Sequence, residues 1–292
     1  MFSFLQRKRN NRSEPKDIKP SVSFFLRGNV VSDIGYTRSN NEDNFVFAGQ
    51  INCSSEKHIE FDGQIDPRGI ACKAAGVFDG MGGGELGEVA SRIAAEVFRN
   101  SFETIGANSS KSDIDCTMRH SFQSANDEII SNKGNRNILG TTGTVICTIG
   151  TEFKLYHLGD SRAYLWREGK LHQLTRDQTL AQMKIDSGLT QADDPKLEAD
   201  RYKLTDYIGR DPTGRNTFPI ESVWNQIEEG DFILLCSDGL YNMCDDATMQ
   251  EVLGQKIPDA EKVSKLVSHA LSNGGNDNIT CILISFQPME EK

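Results

Sequence analysis

The sequence predicts an α+β fold, and three observations support that class. Short β-rich runs alternate with amphipathic helical stretches from about Val30 onward. Several strand candidates are joined by short turns, as at 166–170, so the sheets should be largely antiparallel. Long helices lie between these strands without a repeat of fixed length. This arrangement favours α+β over a doubly wound parallel fold.

The first segment, residues 1–22, is basic and poor in hydrophobic residues, which predicts a flexible N-terminal tail. An alternative is that Phe2, Phe4 and Leu5, together with the basic cluster, give weak peripheral contact with a membrane surface or an acidic partner. Residues 28–288 are expected to form one domain.

The elements of that domain follow from local patterns. The strand candidates are 44–48, 74–78, 144–150, 154–158, 161–167, 232–236 and 279–286. The helix candidates are 85–102, 114–131, 246–253 and 260–271, with Asp113 and Asp245 as expected N-caps of the second and third. The stretch 180–216 is polar and has little strand signal, so we expect a flap-like surface excursion that serves as a lid or binding loop.

The amino-acid composition limits the class of protein to which this chain can belong. The 292 residues are 37% hydrophobic and 25% charged, as in a globular enzyme. No apolar run approaches the roughly 20 residues of a membrane helix, and residues 1–5 do not resemble a signal peptide. We therefore expect a cytoplasmic protein without a membrane span.

Charge and cysteine usage argue against nucleic-acid-binding, disulfide-rich and zinc-binding proteins. The net charge is −10, and because residues 1–20 carry six Lys/Arg and two Asp/Glu, the remainder is more acidic still. Nucleic acid is therefore not expected as the main partner. The seven cysteines are scattered and lack CxxC pairing, which predicts buried thiols in a reducing cytosol rather than a disulfide framework or a zinc site.

Acidic residues recur where apolar runs end. Asp79-Gly80 follows the run 76–78, and Asp238-Gly239 follows the run 232–237. Glu42 and Asp43 precede the strand candidate 44–48, and Asp277 precedes 279–286. Either Asp-Gly pair alone is also a favoured turn dipeptide, but four such acids could converge on one point.

Converging carboxylates would repel one another unless cations compensated their charge. An oxygen-only ligand set suits Mg²⁺ or Mn²⁺ better than Zn²⁺. Two such ions can lower the pKa of a bound water and clamp the oxygens of an in-line phosphoryl displacement. The pattern thus favours two-metal phosphoryl chemistry.

Seven sequence blocks then occur in the order found in a known family. They are 32–43 (SDIGYTRSNNED), 77–83 (VFDGMGG), 140–142 (GTT), 158–164 (LGDSRAY), 173–177 (QLTRD), 236–240 (CSDGL) and 276–280 (NDNIT). Over residues 30–286 the chain resembles the metal-dependent protein phosphatases of the protein phosphatase 2C family, in its bacterial form. The resemblance implies two packed antiparallel β-sheets flanked by helices, an α-β-β-α sandwich.

The resemblance also implies the site residues. Two core Mn²⁺ or Mg²⁺ ions would be held by Asp43, Asp79, Asp238 and Asp277, with the Gly80 carbonyl as a backbone ligand and Glu42 supporting through bound water. A hydroxide bridging the two ions would attack the phosphate of phosphoserine or phosphothreonine on a protein. Arg38 would grip that phosphate, since its planar donor fork matches two phosphate oxygens.

Two positions differ from many family members. Met81 stands where eukaryotic members often carry a histidine that protonates the leaving group, so the proton donor is left unassigned. Family members often have an aspartate just before the Gly-Thr-Thr block that helps hold a third metal. Here the nearest candidates are Asn135 and Asn137, which leaves the third ion open, with Asp206 and Asp211 as weak substitutes.

Other polar residues are interpreted as structural. Asp160 and Arg162 are expected to form a buried ion pair or turn that holds the sheet. His157 lies in an apolar strand and is expected to be a satisfied core residue.

The expected partners are phosphorylated proteins and an opposing bacterial Ser/Thr protein kinase. Two alternatives stay open: a silent family member that binds phosphoproteins without hydrolysis, which the retained acids disfavour, and a hydrolase of small phosphate esters.

Overall fold

The structure is a computed structural model, and it describes residues 24–52, 58–65, 72–82, 86–106, 108–134, 138–211 and 218–288. The predicted tail at 1–22 and the positions of Asn135 and Asn137 lie outside these ranges. All structural statements below concern the described residues.

The strands are numbered in chain order. The first seven are β1 (Phe24–Asp33), β2 (Asp43–Phe47), β3 (Gln50–Ile51), β4 (His58–Ile65), β5 (Cys72–Gly82), β6 (Leu139–Thr141) and β7 (Gly143–Ile149). The others are β8 (Glu152–Leu158), β9 (Arg162–Arg167), β10 (Lys170–Gln173), β11 (Ile220–Glu221), β12 (Asn225–Gln226), β13 (Phe232–Cys236) and β14 (Ile279–Pro288). All seven predicted strands are present, and β1 is a long strand, paired on both sides, that the sequence did not predict.

Two sheets form the centre of the molecule. The first has the strand order β10-β9-β13-β14-β1-β4 and the second β11-β8-β7-β5-β2-β3, with β12 beside β8 and β6 beside β5. Every pairing between described strands is antiparallel, as predicted. The predicted turn at 166–170 is a hairpin between β9 and β10, in which Glu168 and Gly169 have φ of 51° and 78°, as two-residue hairpin turns require.

Seven α-helices accompany the sheets in the described part of the chain. They are α1 (Gly87–Thr104), α2 (Lys111–Lys133), α3 (Leu180–Asp186), α4 (Glu198–Arg201), α5 (Asp238–Tyr241), α6 (Asp246–Gly254) and α7 (Asp259–Ser272).

One predicted helix cap is correct and one is wrong. The Asp245 side chain accepts from the backbone N–H of Thr248 and caps α6, as predicted. The N-cap of α2 is Ser110 rather than Asp113, because the helix begins three residues earlier than expected. Asp113 is the third helical residue and accepts from the Ser110 backbone, so the two residues form a capping box.

The layers form an α-β-β-α sandwich, in agreement with the fold that the resemblance implies. One hydrophobic cluster joins β1, β13 and β14 to β2, β5 and β7, so it lies between the sheets. A second packs α1 and α2 on the outer face of the second sheet. A third packs α5, α6 and α7 on the outer face of the first sheet. The interior strands β2, β7, β8, β13 and β14 are therefore buried on both faces.

The excursion at 180–216 contains more regular structure than its polar composition suggested. Its described residues include α3, a 3₁₀ turn (Pro195–Leu197) and α4. It is attached to the body by backbone hydrogen bonds from Thr205 to the carbonyl of Gln178 and, in both directions, between Ile208 and Thr141. These contacts place the segment beside the ends of the sheets.

Candidate active site

The four predicted metal-binding aspartates come from four chain segments at one end of both sheets. Asp43 opens β2 and lies opposite Asp79 of β5 in the second sheet. Asp238 follows β13 and opens α5, and Asp277 lies two residues before β14, the neighbour of β13 in the first sheet. The packing of the two sheets brings all four together.

A cavity of about 240 Å³ opens at this point. Its acidic and basic lining residues are Arg38, Glu42, Asp79, Asp160, Asp238 and Asp277. Gly80, Met81 and Thr142 also line it, and Tyr202 and Leu204 reach it from the excursion. Asp43 is only 2% exposed and hydrogen-bonds to Ser237 below the cavity floor.

Burial and mutual repulsion perturb the acids. The pKa of Asp43 is raised to about 7 and that of Asp238 to about 6, mainly by burial and in addition by the nearby charge of Asp277. Burial and neighbouring carboxylates also raise the pKa values of Asp79 and Asp160. The site therefore concentrates more negative charge than the protein's own groups neutralise, and bound cations would relieve this repulsion.

Arg38 is the one cationic side chain that lines the described cavity. Its Nη2 donates to Oδ2 of Asp277 at 2.7 Å, while the backbone N–H of Asn278 donates to Oδ1 of the same carboxylate. The guanidinium is half-exposed. Arg38 thus lies at the cavity mouth, where it can reach both Asp277 and an incoming anion.

Glu42 has a contact that the sequence analysis did not predict. Its Oε1 accepts from the backbone N–H of Gly87, the first residue of α1, and its carbonyl accepts from the N–H of Gly80. A carboxylate at this helix end is favourable because it accepts from an otherwise free N–H and opposes the helix dipole. Burial nevertheless raises the pKa of Glu42.

The backbone packs too closely at Gly80 for any side chain. A Cβ there would lie 2.1 Å from the carbonyl oxygen of Gly87 and 2.5 Å from that of Glu42. Gly239 is equally restricted, since its Cβ would lie 2.0 Å from the carbonyl oxygen of Asn278. The glycine in each Asp-Gly pair is therefore required by close packing beside the acid.

Hydroxyl groups that the sequence did not predict make hydrogen bonds to the acids. Ser237 donates to Oδ2 of Asp43 at 2.6 Å and accepts from the backbone N–H of Thr280. Thr142 accepts from the backbone N–H of Asp79 and shares a hydrogen bond with Ser161. Ser237 directly precedes Asp238, and Thr142 belongs to the Gly-Thr-Thr block, so their place in the recognised blocks was the available signal.

The structure corrects the interpretation of Asp160 and Arg162. Arg162 makes a two-pronged ion pair with Asp177, through Nε at 2.9 Å and Nη2 at 2.6 Å, and its guanidinium stacks on Tyr241. Asp160 instead lines the acidic cavity. The ion-pair alternative is wrong for Asp160, because the partner of Arg162 is Asp177, which is fifteen residues away and is brought close by the β9–β10 hairpin. The turn alternative agrees with the structure, since Asp160 lies in the short connection between β8 and β9.

Other predictions have mixed outcomes. His157 is buried and hydrogen-bonds to Thr144 and to the carbonyl of Arg176, so it is a satisfied core residue, as predicted. Asp206 pairs with Arg210 at 3.5 Å, and neither Asp206 nor Asp211 lines the cavity. Asn135 and Asn137 lie outside the described residues, so the third metal site stays a prediction.

The cysteines also follow the prediction in part. Cys147, Cys236, Cys244 and Cys281 are buried free thiols. Cys116 is an exposed free thiol, which differs from the expectation that the thiols are buried.

The donor set fits hard divalent ions, since all its side chains offer oxygen. Within the described ranges, however, no three Asp, Glu, His or Cys side chains already form a ready coordination group. The Arg38 guanidinium contacts the Asp277 carboxylate, so an ion bound through Asp277 would share this side chain with Arg38.

None of the helices in the described part of the chain is long and apolar enough to span a membrane.

The fold and site together define an α-β-β-α sandwich with a carboxylate-lined cavity at one end of its two sheets. The sequence profile described as "Protein phosphatase 2C" matches residues 30–184. The chain belongs to the protein phosphatase 2C family.

Two of the similar relatives are bacterial phosphatases. The serine/threonine protein phosphatase PstP of Mycobacterium tuberculosis (strain H37Rv) is 34% identical over 265 residues, which cover 90% of this chain and 45% of PstP. This chain thus spans about half the length of that relative. The serine/threonine phosphatase Stp of Listeria monocytogenes (strain EGD-e) is 30% identical over 211 residues, covering 71% of this chain and 82% of Stp.

Solved structures share the fold. The S. agalactiae serine/threonine phosphatase superposes with a TM-score of 0.73 at 26% identity, covering 89% of this chain and 99% of that one. The catalytic domain of PstP in complex with two manganese ions superposes with a TM-score of 0.70 at 29% identity, covering 91% of this chain and 100% of that one.

Proposed function

We propose that this chain is a metal-dependent serine/threonine protein phosphatase that hydrolyses phosphoserine and phosphothreonine on proteins. The observation that carries the proposal is that Asp79, Asp238 and Asp277 line one cavity with Arg38 at its mouth, while Asp43 is buried beside them and paired with Asp79 across β2 and β5. The named activities of the relatives and the two manganese ions of the PstP catalytic domain support it.

The four aspartates would hold two Mn²⁺ or Mg²⁺ ions, with the Gly80 carbonyl and Glu42 in supporting positions. When bound, the ions supply a water of lowered pKa and neutralise charge during in-line displacement at phosphorus. Ser237 orients Asp43, and Thr142 fixes the backbone of Asp79. Such hydrogen bonds to the ligands hold their oxygens in position before an ion arrives.

Arg38 would bind the substrate phosphate, because its guanidinium is half-exposed at the cavity mouth and offers paired donors. Met81 lines the cavity but has no proton to give. The leaving alkoxide would therefore take its proton from water or from another side chain.

Tyr202 and Leu204 extend the cavity wall toward the excursion. Tyr202 is 62% exposed, so it offers an aromatic surface to groups beyond the phosphate. This extension favours a protein substrate over a small phosphate ester. Phosphoproteins and an opposing bacterial Ser/Thr kinase are the partners we propose, and the cytoplasm is the proposed location.

The decisive experiment compares the wild type with Asp238→Asn on an aryl phosphate and on a phosphothreonine peptide, with and without Mn²⁺. We expect Mn²⁺-dependent hydrolysis of both substrates by the wild type and almost none by the variant. Asp245→Asn is the matched control, because the same change then falls on the exposed N-cap of α6.

Each other result would reject the proposal in a different way. Activity without metal, or an unaffected Asp238→Asn variant, would contradict the two-metal site. Hydrolysis of the aryl phosphate alone would indicate a small-ester hydrolase. Tight binding of the phosphopeptide by the metal-loaded protein without hydrolysis would indicate a silent binding protein.

A further inference from the structure

Asn278 is buried beside the candidate site, and its side chain makes three hydrogen bonds to one loop. The residue is 4% exposed and directly follows Asp277. Its Nδ2 donates to the carbonyl oxygens of Ile34 and Asn40, both at 2.9 Å. Its Oδ1 accepts from the backbone N–H of Glu42 at 2.8 Å.

These bonds hold the base of the loop that carries Arg38. The two carbonyls lie four residues before Arg38 and two residues after it, while residues 36–39 between them are exposed. The third bond fixes Glu42, the neighbour of Asp43. One carboxamide thus uses both N–H donors and its acceptor on the segment that presents Arg38 and Glu42.

The same short segment, 275–278, meets the loop at two further points. The backbone N–H of Tyr36 donates to the carbonyl of Gly275 at 2.8 Å. Gly35 packs so closely that a Cβ there would lie 2.3 Å from the carbonyl oxygen of Asp277. The segment therefore supports the loop, and Asn278 is the side chain that ties its two ends.

We propose that Asn278 is a positioning residue that holds the Arg38 loop in register with Asp277, so that binding of the substrate phosphate depends on it. This inference rests on the proposed function. Without the carboxamide, the base of the loop loses three buried hydrogen bonds, and Arg38 samples positions from which its fork does not meet the phosphate. Misplacement of a binding group by about 1 Å can cost about a hundredfold in rate.

The test is a double-mutant cycle between Asn278→Ala and Arg38→Ala, with kcat and KM measured on an aryl phosphate. We expect kcat/KM to fall about tenfold to a hundredfold in Asn278→Ala, mainly through KM. In the Arg38→Ala background the same change should cost much less, because the group being positioned is already absent. Equal losses in both backgrounds would overturn the proposal.

Hydrogen exchange supplies a readout that does not depend on activity. Backbone amides of residues 34–42 should exchange faster in Asn278→Ala than in the wild type, while those of β13 stay protected. Unchanged exchange in the loop would also overturn the proposal. If the wild type hydrolyses nothing, the proposed function fails, and the exchange experiment still decides whether Asn278 holds the loop.

Two further variants guard against a trivial loss of stability. Asn278→Leu has nearly the same shape and adds no charge, but it loses the hydrogen bonds to the loop, so it should show the same non-additivity if the alanine variant does not fold. Asn126→Ala is the matched control, because Asn126 is buried and accepts from the N–H of Gly209 at 2.7 Å away from the Arg38 loop. We expect it to lower stability without accelerating exchange at 34–42.

Discussion

At the scale of single residues, Arg38 and a bound metal ion would compete for the Asp277 carboxylate. The guanidinium donates to Asp277 at 2.7 Å and also experiences the negative charges of Glu42 and Asp79. A divalent ion would need the same carboxylate. Metal binding and the orientation of Arg38 should therefore be linked, since an ion that takes part of Asp277 frees the guanidinium for phosphate.

The first prediction concerns Arg38→Ala. Because the substitution removes a competing cation, Mn²⁺ should bind roughly fivefold more tightly, as expected when an exposed ion pair worth about 1 kcal/mol no longer opposes it. Isothermal titration calorimetry of the metal-free protein measures this change. Arg176→Ala, which removes a surface ion pair with Asp186, is the control. Unchanged or weaker Mn²⁺ binding would show that Arg38 and the ion do not compete.

Ser237 offers a second prediction at this scale. Its hydroxyl is fully buried and orients Asp43 through a 2.6 Å hydrogen bond. Ser237→Ala should weaken Mn²⁺ binding about tenfold, as is common when the hydrogen-bond partner of a metal ligand is removed. Calorimetry again provides the measurement. Ser121→Ala removes an equally buried hydroxyl within α2 and should leave the affinity unchanged; similar losses in both variants would contradict a specific role.

At the scale of elements, the excursion is organised by its own ion pairs. Asp200 of α4 is 6% exposed and bridges Lys184 of α3 to Lys203. Next to this bridge, Tyr202 and Leu204 reach the cavity wall. The short helices thus fix the position of an aromatic side chain at the site, which a structureless loop would not do.

We predict that Asp200→Asn raises KM for a phosphothreonine peptide several-fold and leaves KM for an aryl phosphate nearly unchanged. The reason is that loosening α3 from α4 displaces Tyr202, which lies beyond the phosphate-binding groups. Steady-state kinetics on both substrates measure the difference. Asp259→Asn, which breaks a comparable Lys262 pair on α7, is the control. An equal effect on both substrates would mean that the excursion acts on the phosphate site itself.

At the scale of the whole molecule, the core contains a histidine that must keep one protonation state. His157 of β8 is 2% exposed and hydrogen-bonds to Thr144 of β7 and to the carbonyl of Arg176. Burial lowers its pKa to about 4 from the usual 6.5. The folded protein therefore holds this imidazole in its neutral form at neutral pH.

The corresponding prediction concerns the contribution of His157 to stability in mild acid. Between pH 6.5 and 4 the unfolded chain binds a proton at His157 that the folded protein does not, so this residue lowers the free energy of unfolding as the pH falls, by about 2 kcal/mol at pH 5. The raised pKa values of Asp43 and Asp238 act in the opposite direction, so the comparison with a His157 variant isolates the effect. Urea denaturation at pH 7.5 and pH 5 measures it. His157→Gln should be less stable at pH 7.5 but lose less on acidification. Parallel losses in both proteins would assign the effect to other groups.

The sequence alone determined the family, the antiparallel α+β class and the four aspartates, because each depends on local signals. Strand-like runs, turn residues and acids at the ends of apolar runs can all be recognised in short stretches of sequence. The seven ordered blocks then link these signals along the chain.

Only the tertiary structure decided which side chains meet. Asn278 bonds to carbonyls 238 and 244 residues away in sequence, and Ser237 bonds to Asp43 across 194 residues. Asp160 lines the cavity and does not pair with Arg162. The chain reverses at the β9–β10 hairpin and returns Asp177 to the side of Arg162, which pairs with it. Periodicity reports which face a residue occupies, whereas a hydrogen bond between distant segments depends on how the two sheets pack and where their loops cross. That is why the acids could be predicted from sequence and the residues that hold them in place could not.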